Sequence, residues 1–209
     1  FDLRQGAITN HIKFGSKGDY EDLALVNDKI YVLRSDGTFF LHQLIYGQRE
    51  QTEIIKTPLT KKHDAEGLAY DPLKQSLLIA CKETPKKKDS DTGDREIYEM
   101  TVPGHEFLPE PYIVIRNHEY KKLLENSGLD VKKHMPFKPS GLAVHPKTGE
   151  YFVICSIGKI MIILDRNGKI KKLVPLRKSV FVQPEGICFS PAGDLYISSE
   201  GGKGYILKF

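Results

Sequence analysis

Short runs of apolar residues separated by polar turns make up this chain, and one run recurs four times. Each copy begins with an acid or a serine, continues with a small residue or a second acid, and ends with two apolar or small residues. The copies are Glu21-Asp22-Leu23-Ala24, Glu66-Gly67-Leu68-Ala69, Ser140-Gly141-Leu142-Ala143 and Glu185-Gly186-Ile187-Cys188. The pattern predicts an internal repeat, which constrains the architecture more than any single motif does.

Each copy is followed by a turn and then by a second run rich in β-forming residues. These second runs cover residues 30–33, 77–80, 151–154 and 195–198. The first and second copies begin 45 positions apart, as do the third and fourth, whereas 74 positions separate the second from the third. A period of about 40 to 45 residues built from four short strands is typical of a β-propeller blade. The chain therefore predicts an all-β propeller with one insertion.

The repeat and the ends of the chain together predict a five-bladed β-propeller, with six blades as the alternative, in a single domain over residues 1–209. Residues 1–14 precede the first copy, so we expect them to form the outer half of an incomplete first blade. The last blade stops at Phe209 after three strands, and closed β folds avoid such an open edge. We expect N-terminal sequence to supply the missing strand and close the ring.

The insertion between the second and third copies predicts one short surface helix over residues 118–126. Tyr120, Leu123 and Leu124 have helical spacing there, and Ser127-Gly128 would end the helix. We expect the helix to pack over the rim or bottom of the propeller, with a lid as the alternative.

The composition is that of a soluble globular protein, since 40% of the 209 residues are hydrophobic and 28% are charged. No apolar run approaches the length of a membrane span, and no signal-peptide pattern begins at Phe1. The net charge is +4, from 31 basic and 27 acidic residues, and the basic pairs are scattered, which argues against nucleic-acid binding. We expect a monomer. Cys81, Cys155 and Cys188 lie in apolar runs and predict buried free thiols.

Candidate chemistry lies where each first strand begins and each second strand ends, because antiparallel pairing brings these two points to the same mouth of the channel. The first strands begin with Glu21 (beside Asp22), Glu66, Ser140 and Glu185. The second strands end, when the repeats are aligned, with Asp36, Glu83, Ile157 and Glu200. The sequence therefore predicts a ring of acids around one mouth, backed by a second ring of Asp36, Glu83 and Glu200.

Carboxylates crowded into a low-dielectric channel repel one another, so they take up protons or bind a cation. Hard oxygen ligands at this density suit Ca²⁺, and we expect a calcium ion bound by some of Glu21, Asp22, Glu66 and Glu185. His63 lies three positions before Glu66 and is either a nitrogen ligand or only a neighbour. The alternative is structural, with the carboxylates capping backbone N–H groups at the mouth.

The chain also resembles a known family, the SdiA-regulated, YjiK-like proteins of bacteria. The similar runs are Gly18-Asp19-Tyr20-Glu21-Asp22, Asp64-Ala65-Glu66-Gly67-Leu68, Pro139-Ser140-Gly141-Leu142-Ala143 and Gln183-Pro184-Glu185-Gly186-Ile187. The resemblance spans nearly the whole chain and implies a five-bladed propeller, distantly related to NHL-repeat propellers, with a calcium site and no established biochemical activity. It also implies a location in the bacterial periplasm or cell envelope, with any export or membrane anchor upstream of Phe1. Ser140 departs from the family's acidic position, which Glu21, Glu66 and Glu185 match.

The sequence is compatible with two functions. The first is a non-catalytic, calcium-stabilised propeller that binds an unknown protein or small-molecule ligand at the channel mouth or serves as a scaffold. The second is a calcium-dependent hydrolase of lactones, esters or phosphoesters, in which the metal polarises the substrate. A hydrolase needs a general base near the metal, and none of the histidines pairs recognisably with a serine or an aspartate in the sequence, which leaves a carboxylate of the second ring as the alternative base. The first function is therefore favoured.

Overall fold

The computed structural model of the chain describes residues 2, 4–9, 11–43, 52–85, 93–202 and 204–209. Within these residues, 15 strands pair into four antiparallel sheets. The first sheet contains β1 (Tyr20–Val26), β2 (Lys29–Arg34), β3 (Phe39–Gln43) and β4 (Thr52–Ile55), and the second contains β5 (Ala65–Asp71), β6 (Ser76–Cys81), β7 (Arg95–Thr101) and β8 (Phe107–Ile115). The third contains β9 (Gly141–Val144), β10 (Tyr151–Cys155), β11 (Ile160–Leu164) and β12 (Ile170–Pro175), and the fourth contains β13 (Gln183–Phe189), β14 (Leu195–Glu200) and β15 (Tyr205–Lys208).

The first strand of each sheet is the innermost one. β1 packs against β5, β5 against β9, and β9 against β13, so the four sheets, here called blades 1 to 4, form a β-propeller around a channel. The inner strands line a cavity of about 540 Å³ whose walls are largely aliphatic and aromatic. The predicted all-β propeller is confirmed, and each repeat copy lies at or just before the start of an inner strand.

Three apolar clusters hold neighbouring blades together, one at each junction. The largest lies between blades 2 and 3 and includes Leu78, Ile97, Tyr151 and Ile162. All six residues of β6 are buried, because both faces of that strand pack against neighbouring blades. This burial explains why the inner strands are continuous apolar runs and do not alternate with polar residues.

The prediction of five blades, or alternatively six, is wrong for the described part of the chain, which contains four. Residues 1–14 were expected to form the outer half of a first blade, but their described residues contain no strand, and Asp2 and Ala7 form only an isolated bridge. The Asp2 carboxylate accepts hydrogen bonds from the N–H groups of Arg4 and Gln5, so this segment closes on itself in a tight turn. No described N-terminal residue pairs with β15, and blade 4 has three strands, as the sequence predicts.

The insertion forms two helices, α1 (Asn117–Asn126) and α2 (Val131–His134). Helix α1 confirms the predicted helix, whereas the single turn of α2 was not predicted because four residues carry too little periodicity. Tyr120 and Leu124 of α1 are fully buried against blade 3, and the Tyr120 hydroxyl donates to the carbonyl of His134. The insertion therefore packs over the rim of blade 3. None of the described helices is long and apolar enough to cross a membrane.

The cysteines are free, and two of them are buried as predicted. Cys81 and Cys155 lie inside the blades, but Cys188 is exposed. Cys188 lies on β13, next to the channel cavity, where the side of blade 4 that faces away from blade 3 has no described blade against it.

Candidate functional site

Each of the three glutamates predicted for the inner acid ring is the extra residue of a β-bulge. In the pairing of β1 with β2, the register slips between Tyr20 and Asp22, which leaves Glu21 without a partner. The register slips in the same way around Glu66 in β5 and around Glu185 in β13. A bulge removes its extra residue from the regular alternation of the strand and re-aims its side chain. In these three blades, the repeat therefore contains a β-bulge as well as an acidic residue.

Blade 3, which has Ser140 in place of the glutamate, shows no such slip among its described residues. Gly141 pairs with Ile154 in an unbroken register, and the Ser140 N–H donates to the carbonyl of Ile154. The buried Ser140 hydroxyl donates to the carbonyl of Pro184 at 2.9 Å, which links blade 3 to blade 4. Ser140 therefore links two blades. The blade that has serine in place of the glutamate is also the blade without a β-bulge at this position.

The glycine that follows the acid in the repeat is required by the close approach of neighbouring blades. A Cβ atom on Gly67 would lie 3.0 Å from backbone atoms of Gly141 and Leu142, and one on Gly141 would lie 2.7 Å from the carbonyl oxygen of Glu185. Backbone atoms cannot move aside as the end of a flexible side chain can. Glycine at this position therefore lets the inner strands pack at the channel.

Asp22 takes this glycine position in blade 1 and bonds to the next blade through its side chain. Its Oδ2 accepts from the N–H of Leu68 at 2.7 Å, and its Oδ1 accepts from the N–H of Leu23 at 2.8 Å. Burial raises the pKa of Asp22 to about 7, against the lowering effect of these two N–H donors. Asp22 therefore caps backbone N–H groups between blades 1 and 2, as the structural alternative predicts for this residue.

Burial and neighbouring carboxylates raise the pKa of all three bulge glutamates. Burial first, and then the charges of Glu66 and Asp19, raise the pKa of Glu21 to about 8. Burial also raises the pKa of Glu66 and of Glu185, and the charge of Glu185 adds to the shift at Glu66. Glu66 is thus within electrostatic reach of Glu21 on one side and of Glu185 on the other.

Lys82 also lies among these acids, where the repeat predicts only carboxylates. Its ammonium is 2.5 Å from the Glu66 Oε1 and 4.0 Å from the Asp64 Oδ2. Its positive charge also lowers the pKa of Glu21 and Glu185 in part. Lys82 directly follows β6, and β6 ends at the mouth. The position of Lys82 immediately after the second apolar run of the repeat therefore indicates that its side chain lies near the acids. The mouth therefore contains an internal cation that offsets part of the repulsion.

Two of the three acids in the second ring, Asp36 and Glu83, form ion pairs with basic side chains. Arg34 binds Asp36 through both carboxylate oxygens at 2.9 and 2.8 Å, and this bidentate bond holds the pKa of Asp36 at about 2. Glu83 forms an ion pair with Lys138 of the next blade. Glu200 is exposed, and its charge contributes to the raised pKa of Glu185.

His63 takes part in a local turn. Its Nδ1 accepts from the N–H of Thr60 at 3.0 Å, and its ring meets Tyr98 edge to face. Burial lowers its pKa, which favours the neutral ring. Within residues 2, 4–9, 11–43, 52–85, 93–202 and 204–209, no group of three or more His, Cys, Asp and Glu side chains is already arranged to hold a metal ion.

We expect the protein to lose stability as the pH rises from about 5 to about 8. The pKa of Glu21 is raised from 4.5 to about 8, so the folded state binds this proton more tightly than the unfolded state. The resulting stabilisation is complete below the ordinary pKa and is lost as the pH rises through about 8. Glu66 and Glu185 shift in the same direction.

Thermal unfolding followed across this pH range measures the effect. Glu21→Gln, which stays uncharged, should flatten the pH dependence, whereas Glu106→Gln at an exposed position should leave it unchanged. The same slope in wild type and Glu21→Gln would contradict the assignment.

Sequence comparison identifies the family of this chain. The family model described as SdiA-regulated matches residues 3–208, which is almost the whole chain. The chain belongs to the SdiA-regulated family. No curated protein sequence matches it.

Solved structures that are similar to this SdiA-regulated protein share its fold at low sequence identity. A luciferin-regenerating enzyme has a TM-score of 0.52 and 14% identity over 90% of this chain and 60% of its own. Glutaminyl cyclase from Myxococcus xanthus has a TM-score of 0.55 and 14% identity, over 90% of this chain and 71% of its own. A gluconolactonase from Xanthomonas campestris has a TM-score of 0.54 and 15% identity, over 93% of this chain and 58% of its own. The chain therefore spans about 60% of the first of these proteins, and at this identity the likeness shows the propeller fold alone.

Proposed function

We propose that this SdiA-regulated protein is a non-catalytic propeller of the bacterial cell envelope, which binds calcium at the channel mouth and a protein or small-molecule ligand beside it. The observation that carries the calcium site is the set of bulges, which bring Glu21, Glu66 and Glu185 to one mouth. The location in the envelope rests on the family resemblance.

Carboxylate oxygens fit calcium, which takes six to eight oxygen ligands in flexible geometry. In this proposal, the bulge glutamates provide the oxygens, and Asp22 contributes only through lone pairs that its two N–H donors leave available. Bound calcium would supply the positive charge that these acids otherwise obtain from Lys82 and from protons. Binding therefore requires Glu21 to lose its proton and Glu66 to leave Lys82, so the affinity should rise with pH up to about 8.

We expect wild-type protein to bind calcium and to gain about 2.7 kcal/mol in free energy of unfolding at a calcium concentration of 100 times Kd. Glu66→Gln combined with Glu185→Gln should weaken binding by at least about tenfold, because each substitution removes one ligand charge. Lys82→Gln should strengthen binding, because it frees Glu66 from its ion pair. Calorimetric titration and thermal unfolding with calcium or with chelator measure both quantities.

The matched control is Glu106→Gln combined with Glu110→Gln, which removes two exposed charges away from the mouth and should leave calcium affinity unchanged. If the Glu66 and Glu185 double variant also kept its affinity and its calcium-dependent melting temperature, the acid ring would be structural.

A calcium-dependent hydrolase is the second candidate, and one observation favours it. Burial raises the pKa of Glu21 to about 8, which suits a general base near neutral pH if Glu66 and Glu185, and not Glu21, hold the calcium ion. A panel of lactones, aryl esters and phosphoesters, tested with and without chelator, separates the two candidates. Calcium-dependent turnover that Glu21→Gln abolishes in folded protein would establish the hydrolase.

A further inference from the structure

Positive charge is concentrated in one sector of the propeller. Residues 116–178, which comprise the helical insertion and blade 3, contain 14 Lys and Arg against five Asp and Glu, whereas the whole chain has a net charge of only +4. The remainder of the chain is therefore net negative. Blade 3 is also the blade that has Ser140 and Ile157 at the two ring positions where the other blades have acids.

Three segments bring part of this charge together at the mouth side of blade 3. The ring of His134, at the end of α2, lies 2.7 Å from the carbonyl oxygen of Gly158 through its Nδ1. The N–H of Leu176 donates to the carbonyl of Lys159 at 2.8 Å. The end of α2, the turn over residues 156–159 and the segment that follows β12 are thus adjacent.

These segments present five basic side chains, which we call the blade 3 patch. They are Lys132, Lys133, Lys159, Arg177 and Lys178. All but the half-buried Lys159 are exposed. Among the described residues, only Lys133 of these five has a carboxylate within 4.0 Å, which is that of Asp130 in its own helix. The charge of the patch is therefore largely uncompensated.

The acids closest to the patch do not cancel its charge. Glu83 is already paired with Lys138 and lies 3.8 Å from Arg95. Glu185 is within electrostatic reach of Lys159 but also of Lys82. The patch thus stays positive beside an acidic mouth.

Two aliphatic side chains are exposed within this surface. Ile157 is 53% exposed in the turn before Lys159, and Val182 is 50% exposed shortly after Lys178. Both lie at the mouth side, since one follows the end of β10 and the other precedes the start of β13. Solvent-exposed aliphatic groups inside a lysine-rich surface gain free energy when they enter the boundary between lipid headgroups and acyl chains.

We propose that the blade 3 patch docks on an anionic phospholipid surface, with Ile157 and Val182 entering the headgroup region. Lysines on a turn surface act as mobile point charges, which suits a fluid array of phosphates better than it suits one rigid carboxylate. One exposed aromatic ring, that of Tyr205, borders the patch, because its hydroxyl donates to the carbonyl of Val180, whereas proteins that bind single-stranded nucleic acid stack successive bases on several rings. The occupant that fits both the charge and the aliphatic pair is therefore a membrane surface.

The test is co-sedimentation of the full chain with vesicles of phosphatidylcholine alone and of phosphatidylcholine mixed with phosphatidylglycerol. We expect binding to the mixed vesicles only, and its loss at about 0.5 M salt, where screening shortens the reach of the charges. Arg177→Gln combined with Lys178→Gln should weaken binding about 25-fold, at roughly fivefold per charge. The control is Lys61→Gln combined with Lys62→Gln, an equal charge change at exposed positions near blades 1 and 2, and it should retain wild-type binding.

Ile157→Ser combined with Val182→Ser distinguishes a membrane from other polyanions. The charges are unchanged, so these substitutions should weaken binding only to a surface that the aliphatic side chains enter. Vesicle binding should therefore fall about tenfold. Equal losses in the two charge variants, or no vesicle binding at low salt, would overturn the proposal. Tighter binding to oligothymidylate or to polyaspartate than to vesicles, unaffected by the serine variant, would overturn it in favour of that polymer.

Discussion

Replacing Asp71 with alanine should lower the free energy of unfolding by about 3 kcal/mol or more. Asp71 ends the inner strand of blade 2 and is fully buried. Its Oδ2 accepts from Arg166 of blade 3 at 2.6 Å and from the Tyr151 hydroxyl at 2.8 Å, while its Oδ1 accepts from the N–H of Leu73 at 3.0 Å. Alanine would leave all these donors without their acceptor at a junction from which water is largely excluded.

A matched variant separates the contribution between blades from local turn capping. Asp165 also caps a turn, through the N–H groups of Asn167 and Lys169, but forms no ion pair to another blade among the described residues. Asp165→Ala should cost only about 1 kcal/mol, and Asp71→Asn, which loses the charge but can still accept hydrogen bonds, should lie between the two alanine variants. Denaturant unfolding measures all three. A loss for Asp71→Ala no greater than for Asp165→Ala would show that the ion pair adds nothing.

Replacing Gly141 with alanine should lower the free energy of unfolding by about 2 kcal/mol. The new Cβ would lie 2.7 Å from the carbonyl oxygen of Glu185 and 3.0 Å from the Ile154 Cδ1. The first of these is backbone of the neighbouring blade, so relief requires blades 3 and 4 to separate. Because that carbonyl belongs to a residue of the acid ring, calcium affinity should fall as well if the proposed site exists.

Gly186 provides the control at the same position of the repeat. A Cβ there would meet chiefly the hydroxyl of Ser198, which can rotate away, so Gly186→Ala should cost less than about 1 kcal/mol. Thermal or denaturant unfolding of the two variants side by side tests the argument. Equal losses would mean that the approach of the next blade does not set the cost of a Cβ at this position.

The local pattern of the sequence was sufficient to predict the repeating strands. The 45-residue period located all four inner strands, because an apolar run that follows an acid and a small residue can be recognised without knowledge of its neighbours. Helix α1 was predicted for the same reason, since the spacing of Tyr120 and Leu124 expresses one buried face. The three strands of blade 4 followed from the length of chain after Glu185.

The number of blades could not be predicted with equal success. Residues 1–14 contain β-forming residues, but a strand exists only where a partner accepts its hydrogen bonds, and the segment around Asp2 bonds to itself. The exposure of Cys188 depends in the same way on which sheet lies opposite β13. Both features are set by partners that are distant in sequence.

The candidate site likewise combines features that the local sequence predicts with features that depend on residues distant in the chain. The sequence by itself determined which residues carry acids at the mouth, since the repeat places Glu21, Glu66 and Glu185 at equivalent points. Only the tertiary structure decided their surroundings: the bulges that release them from the strand pairing, the ammonium of Lys82 beside Glu66, and the bond from Leu68 to Asp22. Periodicity specifies which face of a strand is apolar, but the charge state of a carboxylate depends on distances of a few ångströms between residues far apart in the chain.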